Sequence, residues 1–552
     1  MEKQETKTKT ILIWVDGGTF DVIEPLLNKE LPTFQKIMKE GVNGTLISTI
    51  PPCTPPAWAS LATGVNPGKH GVYDFWDRKG NKPVPVTSYS IHRETLWSML
   101  NDAGKEVILL NAPMTYPPRR IKGILVTGFM TPGNVPYTYP IDFKKRLLRE
   151  FPEYSIDPRT YPPPPGPPSD KHLSCLEESY DLLRERREVT LYLMENFDWD
   201  LFVSVFHCTD SIQHYFWKYM DPTHPAHDPE VSKALKEAIP KAYKIVDNSI
   251  QEILKTIDED TTLIVMSDHG FGPIYKCVFL NNYLRKMGLL SLSVEGAVMP
   301  IIIDKLLKTS RTRLPGLSEF ILKASKTILR RIRSKVEDMP TPTDRFCEYI
   351  DWSQTKAYSL SALGDLSVNR RVLKLRQEYE NLIGYLIQRL FELRDPEDDE
   401  KIVDEIFRKQ QIYSGPYLEK APDLLLVIRK MAYMTSASLV TNQIVGPSSG
   451  YSGSHRMEGI LFMHGKNVRR GETLQNCSIM DLAPTILYLM GVRFPSDIDG
   501  KVLLEAFHHS YAKSHPVKTK EKGRTAIARE EYALTKKDEQ KIKERLKALG
   551  YL

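Results

Sequence analysis

Five short runs of consecutive apolar residues constrain the fold of this chain more than any other feature. They lie at 11–15 (ILIWV), from Val107 (VILLNAP), around Leu125 (GILVTG), at 201–206 (LFVSVF) and at 262–267 (TLIVMS). Each run has the length of a strand, and its apolar residues follow one another instead of alternating with polar ones. Strands that are buried on both faces have this pattern. The runs therefore predict a parallel or mostly parallel sheet that is covered on both sides.

Helical patterns separate these runs. Apolar residues recur at helical spacing from Leu31 to Lys39, and the residues from Ser174 to Phe197 form a long helical stretch. Strands that alternate with helices are typical of a layered α/β core. We therefore predict an α/β fold, a three-layer α/β/α sandwich with a mostly parallel central sheet.

The core pattern is interrupted twice. Residues 132–168 are rich in Pro and Tyr and end in YPPPPGPP, which favours an extended surface loop or lid and not a helix. Residues 289–444 contain a basic amphipathic segment and a helical pattern (EYENLIGYLIQRLFEL), which we interpret as an inserted cap domain. The predicted organisation is a first core part at 1–288, the cap, a closing core part at 445–510, and a basic tail with a charged helix at 511–552.

Composition narrows the class of protein. The chain has 552 residues, of which 41% are apolar and 26% are charged, so it can bury a sizeable core. A net charge of +6 over this length does not favour nucleic acid as a partner. The six cysteines are scattered without a CxxC pair, and the polar N-terminal residues lead directly into a strand without a signal segment. No run approaches the ~18 apolar residues of a membrane-spanning helix. We therefore predict a cytoplasmic protein, and its oligomeric state stays open.

Four short segments carry acids and imidazoles, and three of them follow or close an apolar run. Asp16 closes the first run, at the end of a strand where open α/β sheets bind ligands. Capping of the next turn is the alternative role for this residue. If the segment around Asp210 is helical, Asp210 and His214 lie on one face, one turn apart, and can share a cation. The alternative is an N-cap aspartate with a surface histidine.

Asp268 and His269 follow the fifth apolar run, where we expect a bend from strand to loop. A buried charged pair needs a partner that offsets its desolvation, and a metal ion supplies one. His455 lies among small residues that allow close approach to an ion, although a lone loop histidine is more often structural. Oxygen and nitrogen ligands without thiolate fit Zn2+, Mn2+ or Fe, and Zn2+ with open positions is the first choice. The sequence therefore predicts a site for two divalent metal ions.

The segment PPCTPPAWASLATG offers two nucleophiles, Cys53 and Thr54. With the acids and imidazoles, it resembles the alkaline phosphatase superfamily, most closely the nucleotide pyrophosphatase/type I phosphodiesterase branch. In that superfamily the nucleophile precedes the Gly of a Thr-Gly pair by ten positions, which is the spacing from Thr54 to Gly64, whereas Cys53 lies eleven positions away. The Arg of the sulfatase pattern is replaced by Ala57. Thr54 is therefore the expected nucleophile, and Cys53 is expected to be a packed apolar residue beside it.

The resemblance covers roughly residues 10–290 and 445–505 and implies a fold of alkaline-phosphatase type. It further implies a covalent phosphothreonine and two metal ions, the first held by Asp210, His214 and His455. The residues implied for the second ion are Asp16, Asp268, His269 and the Thr54 oxygen. The chain departs from the family at one position, since the diesterase branch usually has an Asn that contacts a phosphate oxygen, and the corresponding residue here is Phe75. The contact is then absent, or it is supplied elsewhere, with Asn111 as a candidate.

We expect a two-metal-dependent hydrolase of small phosphate esters, and a phosphodiesterase is the first choice. A phosphomonoesterase or phosphomutase on the same fold is the alternative, because Phe75 leaves nucleotide specificity open and the cap looks similar to that of a branch of phosphohydrolases and phosphomutases. The spacing disfavours a sulfatase, and the intact set of ligands disfavours a non-catalytic binding protein. The basic stretch at 305–335 fits a cap helix packed on the core better than a helix on a membrane surface.

Overall fold

The structure is a computed structural model. It describes residues 8–79, 82–133, 135–160, 168–293, 349–439, 442–448, 450–523 and 534–548. The basic stretch at 305–335, Cys347 and part of the predicted tail lie outside these ranges. Within them, no helix has the length and apolar character that are needed to cross a bilayer.

The strands and helices are numbered separately along the described chain. The strands are β1 (Lys9–Val15), β2 (Val42–Ile47), β3 (Trp76–Lys79), β4 (Lys82–Pro85), β5 (Val107–Ala112), β6 (Gly123–Thr127), β7 (Thr138–Tyr139), β8 (Leu201–Phe206), β9 (Thr261–Met266), β10 (Gly270–Pro273), β11 (Lys276–Val278), β12 (Ala357–Tyr358), β13 (Asp365–Val368), β14 (Val403–Arg408), β15 (Leu424–Ile428), β16 (Tyr433–Thr435), β17 (Val445–Pro447), β18 (Gly453–Arg456), β19 (Glu458–His464), β20 (Glu472–Ser478), β21 (Phe494–Pro495) and β22 (Thr519–Lys520). The α-helices are α1 (Phe20–Leu26), α2 (Pro32–Glu40), α3 (Thr54–Thr63), α4 (Pro67–His70), α5 (Leu96–Asp102), α6 (Phe143–Glu150), α7 (Asp170–Asn196), α8 (Cys208–Met220), α9 (Lys233–Lys236), α10 (Ala238–Thr256), α11 (Leu280–Lys286), α12 (Arg376–Phe391), α13 (Lys409–Ile412), α14 (Leu482–Leu489), α15 (His509–Ser514) and α16 (Lys536–Ala548).

A nine-stranded sheet forms the centre of the described structure, in the order β20-β2-β19-β9-β1-β8-β5-β6-β7. The predicted apolar runs form β1, β5, β6, β8 and β9, and these five strands pair in parallel. β19 lies antiparallel between β2 and β9, and β7 is antiparallel to β6. The predicted mostly parallel sheet is therefore confirmed.

Helices cover both faces of this sheet. In β1, Ile11 and Ile13 belong to one apolar cluster, and Leu12 and Trp14 belong to the other. α7, α8 and α10 pack against the first face, and α3, α5 and α14 pack against the second. Alternate side chains of a strand point to opposite faces, so a run without polar residues supplies both contacts. This arrangement confirms the three-layer α/β/α prediction.

The helical patterns at 31–39 and 174–197 correspond to α2 and α7, and both predictions are confirmed. The prediction that residues 132–168 contain no helix was wrong for Phe143–Glu150, which form α6. This stretch has no proline and places the buried Phe143 and Leu147 one turn apart, so it can pack one helix face. The proline-rich residues 161–167 lie outside the described ranges.

A second, smaller sheet lies within the predicted cap segment. It has four antiparallel strands in the order β12-β13-β15-β14, and it packs with α11 and α12 around an apolar cluster of its own. The helical pattern predicted in this segment corresponds to α12. We propose that this cluster is the centre of the inserted cap.

Candidate active site

Strand ends and one helix place the predicted metal ligands at the carboxyl edge of the central sheet. β1 ends at the residue before Asp16, and β9 ends two residues before Asp268. His269 follows and leads directly into β10. Asp210 and His214 lie in α8, the helix that follows β8, so the helical interpretation of that segment is confirmed. All five side chains are buried.

The remaining two predicted residues reach this edge from distant parts of the chain. β18 pairs antiparallel with β10, and this pairing places His455 opposite Phe271. Thr54 is the first residue of α3, and its Oγ1 lies 3.5 Å from Nε2 of His269. Both His455 and Thr54 are buried. The structure thus brings all seven predicted site residues together.

Asp210, His214 and His455 form the first group. Oδ1 of Asp210 lies 3.3 Å from Nε2 of His455 and 3.5 Å from Nε2 of His214. The two Nε2 atoms are 3.2 Å apart. One ligand atom from each residue lies within 4.8 Å of the others, so a single divalent ion can reach all three.

Backbone carbonyls orient the two imidazoles of this group. Nδ1 of His214 lies 2.8 Å from the carbonyl oxygen of Gly453, and Nδ1 of His455 lies 2.8 Å from that of Pro52. A neutral imidazole that donates from Nδ1 to a carbonyl presents its Nε2 lone pair to the opposite side. Both lone pairs then point toward Asp210, as a metal site requires. Since Pro52 lies two residues before Thr54, this contact also fixes the nucleophile segment.

Asp16, Asp210 and His269 form the second group, again with ligand atoms within 4.8 Å of one another. Asp268 adjoins it, because its Oδ2 lies 3.3 Å from Nε2 of His269. Asp210 thus belongs to both groups, whereas the family pattern assigned it to the first ion. The two groups share one carboxylate, which places the two candidate ion sites side by side.

The carboxylate oxygens of the second group fit a divalent cation. Oδ1 of Asp268 accepts hydrogen bonds from Nε1 of Trp14 at 3.1 Å and from the backbone amide of Gly17 at 3.4 Å. Oδ2 of Asp268 and Oδ1 of Asp16 are buried without a hydrogen-bond partner among the described residues. Buried carboxylate oxygens without donors are costly unless a cation balances them. The oxygen and imidazole donors suit Zn2+, Mn2+ or Fe.

Burial and mutual repulsion set the protonation of this centre. Burial raises the pKa of Asp16 well above its usual range, and the charges of Asp268 and Asp210 raise it further. Burial also opposes ionisation of Asp210, but the imidazoles of His214 and His455 outweigh it and hold its pKa below the usual range. Burial lowers the pKa of His214 to about 4, so its ring is neutral at pH 7 and can act as a ligand.

Cys53, the other candidate nucleophile, is fully buried at the N-terminus of α3. Burial raises the pKa of its thiol well above the usual range, and the carboxylates of Asp74, Asp268 and Asp210 raise it further. Without a metal ion, the thiol of Cys53 therefore stays protonated at neutral pH. A thiol that stays protonated is a poor nucleophile.

The position of the family's phosphate-contacting Asn is filled by a packed aromatic residue. Phe75 is buried, and its ring lies edge-on to that of Phe129 at 5.9 Å. Asn111 does not offer a free amide instead, because its Oδ1 accepts hydrogen bonds from Tyr154 and Arg186 and its Nδ2 donates to Thr127. Its side chain is thus held in a buried polar cluster.

Trp14, which donates to Asp268, was not among the residues predicted from the sequence. The sequence contains a signal that Trp14 lies near the site. Residues two apart in a strand point to the same face, and Trp14 lies two positions before the predicted ligand Asp16. The contacts of the Pro52 and Gly453 carbonyls with the two histidines could not be predicted from the sequence, because any residue type supplies a backbone carbonyl.

Two groups of buried acids and imidazoles that can hold metal ions, beside a hydroxyl at the carboxyl edge of a mostly parallel α/β core, fit the class of phosphoester hydrolases. Residues 10–326 match the model of one family in that class, the type I phosphodiesterase/nucleotide pyrophosphatase family. The chain belongs to this family, which places it in the alkaline phosphatase superfamily and confirms the resemblance. The family is typically dependent on divalent metal ions. No curated protein matches the chain.

Solved structures of a phosphonoacetate hydrolase share the fold. Phosphonoacetate hydrolase from Sinorhizobium meliloti 1021 in complex with phosphonoformate has a TM-score of 0.52 and 14% identity, covering 88% of this chain and 96% of its own. The same enzyme in complex with phosphonoacetate has a TM-score of 0.52 and 13% identity over the same shares of both chains. Murine ectonucleotide pyrophosphatase/phosphodiesterase 5 in complex with AMP has a TM-score of 0.49 and 14% identity, covering 88% of this chain and 95% of its own.

Proposed function

We propose that this chain is a two-metal-dependent phosphodiesterase that acts through a covalent phosphothreonine on Thr54. The observation that carries the proposal is the position of the Thr54 hydroxyl, 3.5 Å from Nε2 of His269, beside two groups of buried ligands that share Asp210. Family membership supports hydrolysis of phosphoesters. The small phosphonates bound by the hydrolase of similar fold are consistent with a small substrate.

We propose that the residues divide between two ions as the family resemblance implies. Asp210, His214 and His455 would hold the first, and Asp16, Asp268, His269 and Thr54 Oγ1 would hold the second. Such ions lower the pKa of a coordinated hydroxyl and balance the charge of the phosphoryl oxygens. We propose Zn2+, with Mn2+ or Fe as alternatives. A cytoplasmic location likewise stays a prediction.

The chain's own groups position the nucleophile for this reaction. The hydrogen bond between His455 and the Pro52 carbonyl fixes the backbone two residues before Thr54. The N-terminal end of α3 carries partial positive charge, which favours an oxyanion on its first residue. Thr54 Oγ1 would then bond to phosphorus and release its proton to solvent, while the bond from phosphorus to the leaving oxygen breaks and that oxygen takes up a proton. Water subsequently attacks phosphorus and restores the threonine.

A phosphomonoesterase or phosphomutase is the second candidate, and Phe75 favours it. A ring packed against Phe129 cannot replace the amide with which the diesterase branch usually contacts a phosphate oxygen. Turnover of aryl diesters and aryl monoesters by the purified protein distinguishes the two. We expect a higher kcat/KM for the diester, and a higher value for the monoester would reverse the order.

The nucleophile is tested by two neighbouring substitutions. Thr54→Ala removes the attacking oxygen, so we expect turnover to fall at least about a thousandfold while the purified protein still binds two ions per chain by elemental analysis. Cys53→Ala removes a buried thiol that takes no part in the chemistry, so we expect turnover within about threefold of the unchanged chain. Full activity in the first variant, or complete loss in a folded second one, would refute the assignment.

A further inference from the structure

The C-terminal helix α16 packs at the end of the central sheet that carries the candidate site. Its residues Ile542 and Leu546 are buried in the apolar cluster on the α3 side of the sheet. Nη1 of Arg545, on the same helix, donates to the carbonyl oxygen of Thr131. Thr131 lies in the segment that leaves the carboxyl end of β6, and β6 is parallel to its neighbour β5. The helix therefore docks on the same side as the candidate metal ligands.

Arg545 also pairs with a buried carboxylate. Its Nη1 lies 2.6 Å from Oδ2 of Asp157, a residue that is only 3% exposed. Among the described residues, no other lysine or arginine forms an ion pair with Asp157. A buried carboxylate is costly without a cation, and removal of one partner from a buried pair leaves that cost uncompensated. The charge of Asp157 is therefore balanced by the C-terminal helix.

The backbone that precedes Asp157 is held from a different helix. Arg186 of α7 is almost fully buried, and its Nη2 donates to the carbonyl oxygens of Ser155 and Ile156, at 3.3 and 3.4 Å. These hydrogen bonds do not involve α16. A substitution of Arg545 should therefore act on the charge of Asp157, and not on the course of the chain that carries it.

The other oxygen of Asp157 faces the beginning of α8. Its Oδ1 lies 3.3 Å from Nε2 of His207, which is itself buried and directly precedes this helix. The carbonyl oxygen of His207 accepts a hydrogen bond from the backbone amide of Asp210 at 3.2 Å. One buried carboxylate thus joins the C-terminal helix to the first turn of the helix that carries Asp210 and His214.

The position of Asp210 affects the whole candidate centre. Asp210 belongs to both groups of candidate ligands, whereas each of the other residues in those groups belongs to one. A shift at the beginning of α8 therefore changes the geometry of both groups. Loss of an outer partner that orients a metal ligand typically lowers metal affinity by about 10–100-fold.

We propose that Arg545 is a positioning residue for the metal centre. It balances the charge of Asp157, and Asp157 in turn holds His207. His207 fixes the first turn of α8 and with it the shared ligand Asp210. The inference rests on the proposed function, because it takes the two groups of ligands to hold divalent ions. It assigns a role in metal binding to a helix outside the stretch that matches the family.

The Zn2+ affinity of the full-length protein tests this assignment. Arg545→Gln leaves the charge of Asp157 without its cation, so we expect it to weaken Zn2+ binding about tenfold in competition with a chromophoric chelator. Circular dichroism checks that the variant is folded. Lys541→Gln is the matched control, because Lys541 lies four residues earlier on the same helix and donates to the carbonyl oxygen of Gly133 at 2.7 Å. The control should bind Zn2+ as the unchanged chain does, and equal affinities in the two variants would overturn the proposal.

A second substitution shows whether Arg545 acts through Asp157. Asp157→Asn removes the buried charge, so the cation is no longer needed, and the amide oxygen can still accept from His207. We expect the double variant Arg545→Gln/Asp157→Asn to bind Zn2+ within about threefold of the unchanged chain. A double variant that binds as weakly as Arg545→Gln would refute transmission through Asp157. If Arg545→Gln alone does not fold, the double variant decides by the same limit.

Hydrogen exchange follows the positioning effect without metal. In chelator-treated protein, we expect the backbone amides from Cys208 to His214 to exchange about threefold or more faster in Arg545→Gln than in the unchanged chain. Exchange in α2 should not change, because a local shift of α8 differs from a general loss of stability. Lys541→Gln should leave both segments unchanged. Unchanged exchange from Cys208 to His214 in Arg545→Gln, or an equal increase in α2, would overturn the proposal.

The two proposals fail in different ways. If Arg545→Gln loses Zn2+ affinity as expected but the unchanged chain turns over no aryl phosphodiester, the proposed diesterase is wrong and the assignment of Arg545 stands. If the unchanged chain turns over aryl diesters and all the variants bind Zn2+ equally, the function stands and the assignment of Arg545 is wrong.

Discussion

Asp16→Asn should stabilise the protein without metal and destabilise it with metal. The ligand oxygens of Asp16 and Asp210 lie within 4.8 Å of each other. Two full charges at that distance repel by about 3 kcal/mol at an effective dielectric constant of about 20. The amide of Asn is neutral, so protein stripped by a chelator should gain about 1–3 kcal/mol in its free energy of unfolding at pH 8. Added metal should reverse the order, because the variant lacks one ligand oxygen charge.

The pH dependence of this gain follows from the burial of the Asp16 carboxyl and from the same repulsion. The pKa of Asp16 in the folded protein is raised above its usual value of 3.8, so the folded state binds a proton that the unfolded chain has lost. The metal-free protein therefore loses stability as the pH rises from 3.8 toward the folded pKa. The variant has no such group, so its advantage should be small near pH 4 and largest at pH 8.

Denaturant unfolding measures the free energy of unfolding of the unchanged chain and of Asp16→Asn. Each protein is measured at pH 5 and at pH 8, once with chelator and once with saturating metal. Asp247→Asn is the control. The carboxylate of Asp247 accepts hydrogen bonds from the backbone amides of Thr33 and Phe34, at 3.2 and 2.8 Å. An Asn side chain has only one acceptor oxygen, so the variant loses one of these two hydrogen bonds. The control should lose about 1 kcal/mol in either condition. A metal-free Asp16→Asn protein that is less stable than the unchanged chain at pH 8 would refute the reasoning.

Two further predictions concern buried groups near the nucleophile segment. Burial lowers the pKa of His70 to about 3 from 6.5, so the unfolded chain binds a proton that the folded protein rejects, and stability should fall by about 1.4 kcal/mol per unit as the pH drops below 6.5. His70→Gln removes this group, so below pH 6.5 the slope of the unfolding free energy against pH should decrease by about 1.4 kcal/mol per unit, the contribution of one proton. An unchanged slope would contradict this. Tyr413→Phe leaves the partly buried Ile50 carbonyl without its donor, so it should cost about 1 kcal/mol in denaturant unfolding and lower kcat with both ions retained. Tyr73→Phe removes a hydroxyl bonded to Tyr417 and should preserve kcat; equal losses in the two variants would contradict a role for Tyr413 in positioning Thr54.

The strands that were predicted from the sequence have a pattern that can be recognised within the strand itself, without knowledge of its neighbours in the sheet. ILIWV and LFVSVF are apolar along their whole length or nearly so, and burial on two faces leaves that pattern in any parallel sheet. β2 and β20 were missed because polar residues and glycine interrupt them, as in VNGTLI and ETLQNCS. Their position in the sheet depends on pairing with distant strands, which a local pattern does not contain.

The candidate site shows the same division. Asp16, Asp210 and Asp268 could be identified because each follows or closes an apolar run, and His214 because helical spacing ties it to Asp210. The sharing of Asp210 between two ligand groups could not be predicted, because it depends on the distance between α8 and β1. α6 was missed for a different reason, since the prolines on either side of Phe143–Glu150 obscured a short amphipathic pattern.

The pairing of β10 with β18 has a consequence for the synthesis of this protein. Asp16 and His455 are 439 positions apart, so a ribosome that adds about 5–20 residues per second needs roughly 20–90 s between them. Once Asp268 has been added, the nascent chain carries the carboxylates of the centre without the strand that completes it. An ion captured early would be held by fewer ligands and could exchange. If the chain holds metal as proposed, retention of the metal would report that the last core strands have docked.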